Sequence, residues 1–176
     1  MSEPGSAEAA LIGRIAALEL RIAVAESLTG GLLASAIVSV SSASRVFSGA
    51  VVAYDTALKH SLLDVDQELL RRCGPVDGEV AKQMAKGVRG ACAVTRPGEA
   101  VPRPADIGIS TTGVAGPDPD PQTGQTAGTV WVGVSSARGE RAIRLHLDGD
   151  REGIRSQSVS AALDALLEEI IEIEGA

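Results

Sequence analysis

The sequence predicts an α/β fold, a three-layer α/β/α sandwich around a mixed sheet. Three observations carry that expectation. Apolar strand-like runs are interspersed with segments of helical periodicity along the chain; two late runs alternate apolar and polar residues around a tight turn, as an antiparallel hairpin does; and no internal repeat or second composition regime interrupts the pattern. At 176 residues the chain is most simply one domain, residues 7–176 behind a short tail at 1–6, and is long enough to bury one core.

Residues 1–6 read as a disordered tail. Residues 7–20 carry Leu11, Ile15 and Leu18 at helical spacing, with Ile12 widening the stripe, which predicts an amphipathic helix. A first strand follows with Ile22 and Val24 and ends at Ala25. The helix at 32–38 is apolar nearly all round, so burial on several sides is expected. Residues 47–54 (FSGAVVAY) read as a second strand closing on Tyr54, and residues 56–63 and 66–72 as short helices. Asp77 then caps a helix over 78–93, with Val80, Met84 and Val88 on one face and Lys82 and Lys86 as solvated charge on another. Residues 95–104, with three prolines, are a surface loop. Residues 105–112 form a buried strand through Ile107 and Ile109, and a Gly, Pro and Asp-rich loop runs over 113–127. In 129–137, Val130, Val132 and Val134 share a face; residues 140–147 alternate again after the turn at Arg138-Gly139. The last helix, 151–173, has Leu163, Leu166, Leu167 and Ile170 as its stripe.

Composition prunes the functions open to such a fold. Aromatic residues are only 2% of the chain (Phe47, Tyr54 and Trp131), so Val, Ile, Leu and Ala must build the core. A net charge of -7 opposes a nucleic-acid backbone, and there are almost no rings to stack on bases, so no nucleic-acid partner is expected. Residues 1–10 lack the pattern of a signal peptide and no apolar run approaches a membrane span. Cys73 and Cys92 lie far apart and read as core thiols of a reducing compartment, so a cytoplasmic protein without a membrane partner is expected. Neither His60 nor His146 sits in a zinc spacing, so a structural or catalytic zinc is not expected, and no motif calls for another cofactor.

Residues 21–38 (RIAVAESLTGGLLASAIV) hold the densest chemistry. Ser27 stands between a buried strand and a helix start, where backbone N–H groups lack intrahelical partners and suit a nucleophile or an anion. Gly30 and Gly31 remove Cβ bulk, so a ligand can approach the main chain. The competing reading is a purely local helix cap. Three more segments place polar or glycine-rich residues at strand ends: 54–59, 112–117 (TGVAGP) and 149–155 (GDREGIR). Ligands of layered α/β folds collect beyond strand ends, and four such segments together mean more than one.

In this order and spacing, AESLTGG, Tyr54 five residues before Lys59, TGVAGP, GTVW at 128–131 and GDREGIR resemble the C-terminal domain family of CinA (competence/damage-inducible protein A), in its stand-alone nicotinamide-nucleotide amidohydrolase form. The resemblance covers roughly residues 8–172. It implies hydrolysis of the carboxamide of nicotinamide mononucleotide to nicotinate mononucleotide and ammonia, a three-layer fold, no metal, and a serine–lysine site. By motif match, Ser27 is the nucleophile and Lys59 the base, with Tyr54 beside them. Two positions depart from the family pattern: Leu28 replaces a frequent cysteine, and Asp77 replaces a frequent serine, a change that matters if that hydroxyl touches substrate and is neutral if it caps a helix.

Amide hydrolysis by serine needs an activated hydroxyl, donors for the oxyanion and an acid for the leaving ammonia. A neutral lysine suits the first and last needs when desolvation or a neighbouring charge lowers its pKa, and Lys59, between Ala57-Leu58 and Leu62-Leu63, is placed for burial. A surface lysine is the usual alternative, and a serine–histidine pair using His60 or His146 is a minor one. Tyr54 either hands protons between Ser27 and Lys59 or caps a strand; Glu26 either meets a cationic ring or simply finishes its strand. Thr29, Gly30 and Gly31 offer N–H groups to the oxyanion or to phosphate. Thr112, Gly113, Ala115, Gly116 and Thr129 are candidates to line the nucleotide pocket. Arg151 and Arg155, a turn apart at a helix start, suit a phosphate by their forked donors or stand as a solvated pair. The partner expected is a small-molecule nucleotide, with a homo-oligomer, a dimer first, as the assembly. Two other functions stay open: a regulatory domain that binds a nucleotide or partner with a lapsed site, and the same chemistry on another small amide.

Overall fold

The computed structural model describes residues 7–176, so the tail expected at 1–6 lies outside the described residues. Five strands form one sheet: β1 (Ile22–Glu26), β2 (Phe47–Val52), β3 (Ile107–Gly113), β4 (Thr129–Ser136) and β5 (Gly139–His146), in the order β2-β1-β3-β4-β5. β1 pairs in parallel with β2 and β3, β4 runs antiparallel to β3, and β5 is antiparallel to β4. The sheet is therefore mixed. By this pairing β1, β2, β3 and β5 all end on one edge, where β4 begins. That edge gathers the motif segments.

The helices are α1 (Ala7–Ala17), α2 (Leu32–Val38), α3 (Thr56–Leu63), α4 (Gln67–Cys73), α5 (Gly78–Ala91) and α6 (Arg151–Glu174). Strand alternation sorts them into two layers. Ile22 and Val24 face a core shared with α1, α2 and α6, whereas Ala23 and Ala25 face the one built from α3, α4 and α5. Four helices begin with an aspartate cap: Asp55, Asp66, Asp77 and Asp150 accept from the N–H of Ala57, Leu69, Glu79 and Gly153. Each such cap is worth about 1 kcal/mol.

Several sequence expectations change in detail. α2 is not buried on several sides: Leu33 and Ile37 face the core, while Leu32 is 39% and Val38 57% exposed, because a two-turn helix on an outer layer buries only its i, i+4 pair. The buried stripe of α6 consists of Ile154, Ser158, Ala162, Ala165, Leu166, Glu169 and Ile170, leaving Leu163 and Leu167 half-buried. Small residues dominate it where the helix crosses the sheet. β1 continues to Glu26, β2 stops two residues before Tyr54, and α1 ends at Ala17. Cys73 and Cys92 are free and only half-buried at the border of the second core.

α5 lies against the sheet at backbone distance. A Cβ on Gly108 would stand 1.9 Å from the Ala85 carbonyl oxygen, and one on Gly133 would stand 2.2 Å from that of Ala81. The same layer is stitched by Ser110, whose hydroxyl donates to the Ala81 carbonyl at 2.6 Å. Gly133→Ala is expected to lower the free energy of unfolding by about 2–4 kcal/mol, since backbone cannot retreat as a flexible side chain would. Urea unfolding measures it, and a loss below about 0.5 kcal/mol would refute this packing argument.

Candidate active site

Ser27 follows the last residue of β1, and its N–H donates to the Thr111 carbonyl at 3.0 Å, which extends the β1–β3 pairing by one step. The turn after it is tight: the Gly30 N–H returns to the Ser27 carbonyl at 3.1 Å. Gly30 and Gly31 adopt φ of +59° and +98°, and a Cβ on Gly31 would meet nothing within 4 Å. Their glycine character serves the left-handed backbone rather than a close ligand approach.

The helix start expected to attract an anion is already occupied. Alternation along β1 sends the Glu26 side chain, fully buried, beneath α2, where its carboxylate accepts N–H groups of Gly31 (2.9 Å), Leu33 (3.1 Å) and Ala34 (2.9 Å). Glu26 thus does more than finish a strand. It also removes the Gly30 and Gly31 region from the candidates for oxyanion or phosphate, since the N–H groups of both glycines have internal partners. The Thr29 hydroxyl shares a 2.8 Å hydrogen bond with that of Thr111, while its N–H, the group expected to serve an oxyanion or phosphate, has no acceptor among the described residues.

Lys59 enters from α3 on the opposite layer. It is 0% exposed, its amine 3.0 Å from Ser27 Oγ and donating to the Ala53 carbonyl at 2.8 Å. Burial pushes the Lys59 pKa down from 10.5 to about 8, against an opposing pull from the Asp55 carboxylate. The lowering corresponds to roughly 3 kcal/mol in favour of the neutral amine. About a tenth of the lysine is then neutral at pH 7, against a few ten-thousandths for a free one.

A cleft of about 480 Å³ opens over this pair, and all four motif segments contribute to it: Ser27 and Leu28; Tyr54, Thr56 and Lys59; residues 112–116; and Arg151. Thr112, Gly113, Ala115 and Gly116 line it as the motif placed them, Thr112 donating to the Pro75 carbonyl at 2.6 Å. Tyr54 is at the rim, 59% exposed, its hydroxyl accepting from Arg151 at 3.0 Å. Ser27 and Lys59 touch directly, so no side chain has to bridge them, and the Tyr54 hydroxyl is engaged with Arg151 at the rim. Arg151 also donates to the Gly116 carbonyl at 2.7 Å.

Two candidates lie behind the cleft wall rather than in it. Arg155 donates from Nε to the Leu28 carbonyl (3.0 Å) and from its terminal nitrogen to that of Thr29 (2.9 Å), so it clamps the turn after Ser27 instead of awaiting a phosphate. Thr129 is buried and its carbonyl accepts the Val114 N–H at 2.9 Å, which seats the TGVAGP loop. Asp77 does not line the cleft; its carboxylate accepts the Glu79 N–H at 2.7 Å, the role in which aspartate replaces serine without loss.

Sequence reasoning missed part of the wall. Pro75, Val76 and residues 118–121 also line the cleft. The loop after TGVAGP is strapped across it: Gln122 donates to the Leu70 and Arg71 carbonyls, Gln125 to the Val76 carbonyl, and Asp120 closes a local turn onto Thr123. The alternation GPDPDP was the available signal, three prolines fixing a path too stiff for an idle loop. A larger groove, about 620 Å³ between α3, α5 and β5, carries Lys82 and Lys86, but both pair with carboxylates, Glu79 and Glu140, and no nucleophile faces it. Among the described residues no group of three or more His, Cys, Asp or Glu side chains is placed to hold a metal ion, and no helix is long and apolar enough to cross a membrane.

The fold and the site define a class: a three-layer α/β domain with a lysine-paired serine at a strand-to-helix turn. A family model for the CinA C-terminal domain matches residues 5–170, and the chain belongs to that family. It is 39% identical over 159 residues to a CinA-like protein of Frankia casuarinae, covering 90% of this chain and 34% of that one. It is 41% identical over 157 residues to a protein of Lactiplantibacillus plantarum named for competence-damage induction, covering 89% and 34%. The chain thus spans about a third of the length of these relatives. Among solved structures, a CinA superfamily protein of Escherichia coli superposes with a TM-score of 0.81 at 32% identity, over 91% of this chain and 86% of that one. One from Klebsiella pneumoniae gives 0.81 at 28%, over 95% and 99%.

Two predictions follow from this geometry. Glu26→Ala strips three buried N–H groups of their acceptor and is expected to lower stability by about 2–4 kcal/mol in denaturant unfolding; a loss below about 1 kcal/mol would refute the cap. Lys59 has the opposite sign. Its pKa in the folded protein, about 8, is below the unfolded value of 10.5, so below pH 8 the fold bears the full burden of a buried charge. That burden lifts as pH rises from 8 towards 10.5. Wild type should therefore gain stability relative to Lys59→Met over that range, and a pH-independent difference between the two melting curves would refute it.

Proposed function

We propose that this protein hydrolyses the carboxamide of nicotinamide mononucleotide, giving nicotinate mononucleotide and ammonia, with Ser27 as nucleophile and Lys59 as the sole proton carrier. The observation that carries the reading is the 3.0 Å approach of a buried amine to Ser27 Oγ at the floor of a cleft. The substrate comes from the motif resemblance. In the first step neutral Lys59 takes the Ser27 proton while Oγ attacks the carboxamide carbon. The N–H groups of Leu28, Ala115 and Gly116, on cleft residues and without an acceptor among the described residues, are the donors proposed for the oxyanion. The ammonium of Lys59 then protonates the departing nitrogen, the C–N bond breaks, and an acyl ester on Ser27 remains. Lys59, neutral again, draws a proton from water, whose oxygen attacks the ester; the acyl–Oγ bond breaks, Lys59 returns that proton to Ser27 Oγ, and the product leaves as its carboxylate. Arg151, at the rim with guanidinium donors to spare, is proposed to meet the phosphate.

The second reading, a lapsed regulatory domain that binds a nucleotide or partner, rests on the family's association with competence and damage and on Asp77; as a helix cap outside the cleft, Asp77 itself gives it no support.

Ammonia release from nicotinamide mononucleotide tests the proposal, with free nicotinamide and the dinucleotide as controls. Ser27→Ala and Lys59→Ala should each lose about a thousandfold or more while staying folded. Because the base works unprotonated, kcat/KM should rise with pH and level off above about 8. Near-wild-type activity in either variant, or a flat profile between about pH 6 and pH 9, would overturn the mechanism.

A further inference from the structure

The charged side chains lining the cleft are Lys59, Asp118, Asp120 and Arg151. Three of them already have partners within the protein. Lys59 is bonded to Ser27 and the Ala53 carbonyl, Asp120 to the Thr123 N–H and hydroxyl, and Arg151 to Gly116 and Tyr54. Asp118 has no hydrogen-bond or ion-pair partner among the described residues. Its placement is nonetheless fixed. It stands between Pro117 and Pro119 on the strap that Gln122 and Gln125 pin to the opposite wall. A carboxylate held on a stiff segment, with nothing to bond inside the protein, is preorganised for a ligand.

Depth within the cleft restricts what that ligand group is. The reacting pair is buried at the floor, whereas Asp118 and Arg151 are exposed at the rim. A substrate whose amide reaches Ser27 therefore presents its remote, non-reacting portion to Asp118. An ionised carboxylate only accepts hydrogen bonds, and it repels phosphate. Two oxygens side by side match two adjacent hydroxyl donors, and such charge-assisted bonds are stronger than neutral ones.

We propose that Asp118 is a specificity-determining residue that accepts hydrogen bonds from the vicinal hydroxyls of a ribosyl group on the substrate. This rests on the nucleotide reading above and refines it. Arg151 holds the anionic end, Asp118 the sugar, and the pair selects a glycosylated amide over the free base.

The test separates the two readings. Binding is measured by calorimetry in the Ser27→Ala protein, with nicotinamide mononucleotide and with its 2′,3′-dideoxyribosyl analogue. Asp118→Asn is expected to weaken the ribosyl ligand about tenfold or more and the dideoxy analogue less than about twofold. In the active protein the same substitution should raise KM, with kcat and its pH profile unchanged. Equal loss for both ligands, or loss for neither, overturns the role of Asp118 while leaving the nucleotide reading standing. If the active protein releases no ammonia from the mononucleotide and the Ser27→Ala protein does not bind it, the nucleotide reading itself falls.

Discussion

An amine buried against a hydroxyl is the interaction on which the site depends. Neutral lysine has two N–H donors and one lone pair; charged lysine has three donors and none. The Ala53 carbonyl, 2.8 Å from Lys59 Nζ, accepts in either state, so it fixes the amine without choosing its charge. Ser27 Oγ then occupies the direction that alternates between donor and acceptor as the proton moves. Nothing has to swing for a proton to pass and return. Desolvation, the largest influence on Lys59, makes both charge states accessible near neutrality.

That contact requires the serine to be held as firmly as the lysine. Glu26 holds the turn from below through three N–H groups of α2, and Arg155 from outside through the carbonyls of Leu28 and Thr29. The two grips act on opposite backbone poles. Glu26 alone consumes the N–H groups that would otherwise make the α2 N-terminus an anion site. The unpartnered cleft-lining amides nearest Ser27 are those of Leu28 and the TGVAGP loop, which follow β1 and β3. The parallel pairing of those strands sets the spacing between Ser27 and these amides.

The layers, the hairpin and the segments that converge on the cleft were legible because each is written in local periodicity or in a motif at a strand end. Val80, Met84 and Val88 of α5 are buried as their spacing predicted. Ser27 and Lys59 came from motif match, and the sequence alone offered a surface lysine as the ordinary alternative; only tertiary packing, with α3 brought under the β1 end, decides its burial. What stayed hidden depended on through-space partners. Arg155 has the same composition and helix position whether it meets a phosphate or two carbonyls 126 and 127 residues away. Glu26 reads as a strand end because its ligands belong to the next element. α2 looked wholly buried because apolar content says nothing about which layer a helix occupies.

The two cores meet the sheet differently. The large apolar side chains Ile12, Ile15, Ile37, Ile107 and Leu166 lie in the layer of α1, α2 and α6, away from the lysine. The layer that carries Lys59 holds Leu63, Leu69, Leu70 and Met84 but meets the sheet at Ala23, Ala25 and Ala53, and α5 closes on Gly108 and Gly133 at backbone distance. Small residues let that side pack tightly enough to exclude water from an amine, but they contribute little apolar area of their own. Burying the ammonium opposes folding by roughly 3 kcal/mol, a substantial share of the net stability of a domain this size. Both cores, the aspartate caps and the Glu26 bonds offset it. A buried lysine is tolerated here because a packed apolar core on each face of the sheet stabilises the fold around it.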